Sequence, residues 1–176
     1  MRKSRIIFYC ITLMLFCQVV AGWSGVWADE KVELTEVQEA AIKDHCEAIR
    51  DSLKKVQKED SRLRVYLGAY YETMLTKFII PLNVRLVEEN LSNAKLVENQ
   101  NKFAEAKSSF VEDFVDYQKG LEGLIAMDCK VEPEGFYVKL TEVRQGRTIM
   151  EKDVAKLNEL AGEHVKLVKE LKGRLK

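Results

Sequence analysis

Apolar side chains recur from Ile42 to Met74 at alternating spacings of four and three: Ile42, Cys46, Ile49, Leu53, Val56, then Leu63, Leu67, Tyr70 and Met74. A heptad seam of this length constrains the chain to one long helix with helical partners along it. Asp60 is the one polar entry in the register, no proline falls within it, and Gly68 is its one glycine.

The ends of this helix are also written in the sequence. Thr35 stands where an N-cap belongs, Gln38 completes a capping box three residues on, and Glu36 and Glu39 suit the positive end of the helix dipole. Asp60 or Ser61 could instead cap a new helix after a turn. Val56 and Leu63 lie one heptad apart, however, so the stripe resumes on the same face and favours a continuous helix. Beyond Met74 the spacing slips through Leu75, Phe78, Ile79 and Leu82, and Pro81 removes a backbone donor, so the helix is predicted to kink or end there. Leu82 to Val87 add a last turn or two before a hairpin tip at Glu88 to Asn93.

A second helix follows over Ala94 to Met127, with Leu96, Phe103, Phe110, Tyr117 and Leu124 at heptad spacing and Phe114 and Leu121 between them. Asp128 to Gly135 is the second connection, and Pro133 opens a third helix. Its stripe is Phe136, Leu140, Val143, Met150, Val154, Leu157, Ala161, Val168, Leu171 and Leu175. No strand pattern competes. The expectation is an all-α fold, an elongated antiparallel three-helix bundle with coiled-coil-like packing. A four-helix up-down bundle with a break near Ser61 is the alternative.

Residues 1–28 read as a signal peptide and 29–176 as the helical bundle domain. The leader has a basic start at Arg2, Lys3 and Arg5, an apolar stretch from Ile6 to Ala21, helix breakers at Gly22, Ser24 and Gly25, and small residues Val26 and Ala28 before Asp29. An uncleaved leader would make it a membrane anchor instead. Neither Cys10 nor Cys17 follows a small residue, which points away from lipidation. Removing the three basic residues of the leader leaves 25 basic against 28 acidic residues, a net charge of −3, so nucleic acid is not an expected partner.

Without the leader, Cys46 and Cys129 are the remaining thiols, and an exported chain with two usually pairs them. An up-down four-helix bundle broken near Ser61 would hold them roughly 35 Å apart, at 1.5 Å per residue. A disulfide needs α-carbons about 4.4 to 6.8 Å apart. In a hairpin whose arms meet beside Glu88 to Asn93, the two cysteines stand at one height. The same heights place Asp60 and Arg147 together, each about 20 Å up the bundle at 1.5 Å per residue. They are expected to pair and fix register more than stability. Lys107, Gln100 and His164 also interrupt the stripes.

Catalytic and cofactor chemistry find little to work with. His45 and His164 are the two histidines. There is no HExxH, Glu-x-x-His, CxxC or CxxCH spacing for metal or haem, no GxSxG and no phosphate loop. No cofactor, metal site or catalytic residue is expected. The carboxylates on helices this charged read as solvated faces and ion pairs. Two stretches are distinctive. Arg62, Arg64, Tyr66, Tyr70 and Tyr71 form a candidate binding face for a peptide or glycan, with packed seam tyrosines as the plainer reading. Phe78, Ile79, Pro81 and Leu82 form a candidate docking tip.

Glu59-Asp60-Ser61-Arg62-Leu63-Arg64-Val65-Tyr66-Leu67-Gly68 through Phe78-Ile79, with Leu96-Val97-Glu98-Asn99-Gln100-Asn101 and Met127-Asp128-Cys129, resembles a group of uncharacterised exported helical proteins of candidate-phylum bacteria. The resemblance implies an exported helical fold and brings no activity and no functional residue with it. The sequence thus reads as an exported, non-enzymatic interaction or structural module. It would be periplasmic, cell-surface or secreted, monomeric or dimeric, with an unknown protein or envelope component as partner. A haem- or metal-binding bundle and a periplasmic chaperone or adaptor are the alternatives.

Overall fold

The structure is a computed structural model that describes residues 33–91 and 93–175. The expected signal peptide lies outside the described residues. The chain is an all-α bundle: α1 (Glu36–Asp44), α2 (Cys46–Thr73), a π-helical turn (Met74–Ile79), α3 (Ile80–Glu88), α4 (Ala94–Ala126) and α5 (Pro133–Arg174).

Local chemistry sets each boundary. Thr35 and Gln38 form the expected capping box: the Gln38 N–H donates to Thr35 Oγ1 at 3.3 Å and the Thr35 N–H to Gln38 Oε1 at 2.9 Å. The chain loosens for one residue at His45 (φ −100°, ψ 9°) and resumes as α2. Helix α2 runs unbroken through Ser61, which overturns the alternative with a break there. Ser61 does not cap; its hydroxyl donates back to the Gln57 carbonyl at 2.7 Å.

Of the two outcomes expected at Pro81, a kink or an end, the helix does not end there. The π turn bonds Ile80 N–H to the Leu75 carbonyl, five residues back. That wider turn makes room for a ring that would otherwise crowd the preceding turn and breaks the ladder where the donor is missing. Helix α3 closes instead in a Schellman motif. Asn90 is left-handed (φ 54°), Leu91 N–H donates to the Leu86 carbonyl at 2.7 Å and Asn90 N–H to Val87 at 3.1 Å. Asn93 then caps α4 by accepting from Lys95 N–H, and Pro133 opens α5.

Contacts between helices fix their directions. Arg50 reaches Ile125, Ser61 reaches Gln118 and Asn83 reaches Gln100, with sequence separations falling from 75 through 57 to 17. The first arm and α4 are therefore antiparallel. Asp60–Arg147 and Tyr71–Asn158 both span 87 residues, so α2 and α5 run parallel. Helices α4 and α5 approach closely at two glycines. A β-carbon at Gly146 would stand 3.6 Å from Tyr117 Cβ, and one at Gly120 would stand 3.5 Å from Val143 Cγ2.

The core follows this geometry in three clusters. Cys46, Phe114, Leu121, Leu124 and Phe136 fill the disulfide end; Tyr71, Phe103, Phe110 and Leu157 the middle; Leu86, Leu96 and Leu167 the far end. On the first arm the inward line runs Asp60, Tyr71, Leu75 and Ile79, with Arg64 and Leu67 half-buried on the same line. The heptad seam through Leu63 and Tyr70 is thus displaced by one position. Leu63 is 53% exposed and Tyr70 47%, while Tyr71 is fully buried. A straight helix drifts against a strict seven-residue repeat, and four extra residues in the repeat absorb the drift.

Candidate functional site

Cys46 and Cys129 are joined, with α-carbons 5.6 Å apart and a sequence separation of 83. Cys46 opens α2, while Cys129 sits in the turn between α4 and α5, where Asp128 Oδ1 accepts from Lys130 N–H at 2.9 Å. The neighbouring turn of α2 is tied to the same connection by Arg50, whose Nε donates to the Ile125 carbonyl at 3.1 Å.

One turn below the tyrosine stretch, three helices meet at Asp60. Arg147 Nη2 donates to Asp60 Oδ1 at 3.2 Å, the pairing expected from the heights, and Tyr117 Oη donates to Asp60 Oδ2 at 2.7 Å. The tyrosine was not anticipated as a partner. Asp60 and Tyr117 are buried while the Arg147 side chain is 49% exposed, so the arginine reaches a carboxylate held in the interior. Burial and the Asp60 carboxylate push the Tyr117 phenol well above its ordinary range, which keeps it a donor.

Above this node lies a groove of about 210 Å³, open to solvent between α2 and α5. Phe110 and Phe114 line it, and Arg64 lies over the Phe114 ring with its guanidinium carbon 5.1 Å from the centroid. Leu63 lines the groove as well, and Tyr66 (69% exposed) and Tyr70 continue outward from it at helical spacing of three and four.

The expected binding face therefore divides. Arg62, Tyr66 and Tyr70 are exposed and Arg64 is half-buried on Phe114. Tyr71 is not part of the face. It packs edge-on to Phe103 and Phe110, and its hydroxyl donates to Asn158 Oδ1 at 3.1 Å. Burial raises its pKa, as does the neighbouring Tyr70. The docking tip divides too. Phe78 is 62% exposed, Ile79 is fully buried, and Pro81 and Leu82 are half-buried. These residues lie within the arm rather than at its end, because the helix continues to Glu88.

The interruptions in the stripes are mostly satisfied. Gln100 Oε1 accepts from Asn83 Nδ2 at 2.7 Å, and Lys107 pairs with Glu72 across the arms. His164 is buried, its Nδ1 finds no partner among the described residues, and burial lowers its pKa. Among the described residues no group of three His, Cys, Asp or Glu side chains could hold a metal ion.

Sequence reasoning did not find the carboxyl pair Asp113–Asp153, on α4 and α5. Asp153 Oδ2 is buried without a donor among the described residues. Burial, and then the neighbouring Asp113 carboxyl, push Asp153 from 3.8 up to about 6. A carboxyl whose folded pKa lies above its unfolded one binds its proton more tightly when folded, so stability falls as pH rises from about 4 to 6. Asp153→Asn is expected to stabilise the fold by about 1 kcal/mol at pH 7.5 and not at pH 4, after allowance for screening. Urea midpoints at the two pH values check this; an equal gain at both would show that charge is not the cause.

No described helix is long and apolar enough to cross a membrane. No protein-family model, curated protein or solved structure matches this chain.

Proposed function

We propose that the protein is an exported, non-enzymatic interaction module of the cell envelope or extracellular space, which engages a partner through Leu63, Tyr66 and Tyr70 of α2. The observation that carries this reading is the exposure of these three large apolar side chains on one face, while the adjacent line of the same helix is committed to the core. Tyrosines give a partner broad contact area and a polar tip at low entropic cost, and Arg62 adds a charged flank. Phe78 is a further exposed aromatic on the same arm. The Cys46–Cys129 bond is compatible with an oxidising compartment, as export through the leader would require.

A photo-crosslinking residue at Tyr66 in native envelopes is expected to trap a defined partner. The same residue at Glu105, exposed on α4, is not. Tyr66→Ala with Tyr70→Ala should abolish capture of that partner by a crosslinker moved to Arg62, while leaving the unfolding midpoint within about 0.5 kcal/mol, as for surface changes generally. Equal trapping from both faces, or capture that survives the double substitution, refutes the reading.

A further inference from the structure

We propose that the groove between α2 and α5 binds an aliphatic monocarboxylate, its chain on Phe110 and Phe114 and its carboxylate on Arg64 and Arg147. The inference concerns the groove itself, which shares Leu63 with the proposed partner face, and it is tested on the free chain. A volume of about 210 Å³ admits roughly seven groups of methylene or water size, at about 30 Å³ each. Leu67, Met150 and Val154 complete its apolar wall.

The polar groups at the groove decide which head group suits that chain. Arg147 spends one nitrogen on Asp60, and Arg64 makes its contact with a ring face; among the described residues no other acceptor takes their remaining N–H groups. Two guanidinium forks with unused donors at an apolar cleft suit a carboxylate, which accepts on both oxygens. Two acidic residues also line the groove, Asp60 and Glu151. Asp60 is offset by its ion pair with Arg147, its side chain is 9% exposed and both its oxygens already accept hydrogen bonds, so Arg64 supplies the uncompensated charge for the carboxylate and Arg147 contributes its unused N–H donors. Glu151 is exposed and repels an anion, so it should weaken the site without abolishing it.

Octanoate is the probe that fits, with 1-octanol as the same chain lacking the charge. In ¹⁵N-resolved NMR titrations of the full oxidised chain, octanoate should give saturable shifts centred on Leu67, Phe110, Phe114 and Val154. The dissociation constant expected for a ligand of this size is about 0.1–1 mM. Arg64→Gln should weaken octanoate roughly fivefold and leave octanol unchanged, since a charge-assisted pair is lost. Glu151→Gln should tighten octanoate about twofold and likewise leave octanol unchanged, an effect the size of an exposed charge contact. Glu151 stands on the exposed surface, so this arm decides the question even if Arg64→Gln disturbs packing on Phe114. Absence of saturable shifts up to about 5 mM octanoate, well above that range, overturns the proposal. So does octanol binding as tightly as octanoate, or Glu151→Gln affecting neither or both ligands alike.

Discussion

Replacing Cys46 and Cys129 together by alanine is expected to cost about 4–5 kcal/mol, the chain-entropy value for closing a loop of this size, less any change in the native packing. The loop spans 83 residues. It contains all of α2 and α4, so the unfolded chain gains freedom over most of the hairpin when the bond is absent. Loss should begin at α1, which has no buried residue. Urea unfolding of the wild-type chain with and without reductant, beside the double variant, checks this. A midpoint shift worth less than about 1 kcal/mol, the scale of an ordinary surface change, would mean that Ile42, Ile49 and Leu53 hold the base unaided.

The second large effect is expected at Asp60, and its sign pattern follows from which member of the node is buried. Tyr117→Phe with Arg147→Leu strips both partners from an interior carboxylate and should cost about 3–5 kcal/mol. Asp60→Leu alone removes the buried charge, leaves Arg147 free to reach water and orphans one hydroxyl, so it should cost only about 1–3 kcal/mol. Adding Asp60→Leu to the double variant should recover most of the loss, because an apolar trio of similar volume replaces the polar one. A triple variant no more stable than the double would show that the node contributes through packing rather than through its charges.

Periodicity, caps and residue heights made most of the architecture legible. Thr35, Asn93 and Pro133 start their helices where side-chain chemistry says they should, and heights along the bundle brought both Cys46–Cys129 and Asp60–Arg147 together. The candidate face was harder to read. Leu63 and Tyr70 continue a heptad better than Arg64 and Tyr71 do, yet the helix buries the latter line. Arg64 can serve there because its stem packs while its charged end stays at the surface over Phe114. Tyr71 can serve because Asn158 meets its hydroxyl. A signal for that choice existed: the spacing that sets Asp60 against Arg147 also sets Tyr71 against Asn158. The Asp113–Asp153 pair and the groove had no such signal, since they depend on distances between faces that periodicity does not fix.

The position of the disulfide also sets how the bundle would carry mechanical load. Glu33 lies at the disulfide end, whereas α5 rises 42 residues from Pro133 to Arg174 at the other. Tension applied between Glu33 and Leu175 enters at α1, crosses from Cys46 to Cys129 through the covalent bond, and continues along α5. The hairpin of α2, α3 and α4 hangs from that path as a side branch, so the tyrosine face and the groove wall on α2 bear little of the strain. Reduction of the bond would reroute the whole load through α2 and α4, turning a covalent strut into an extensible one.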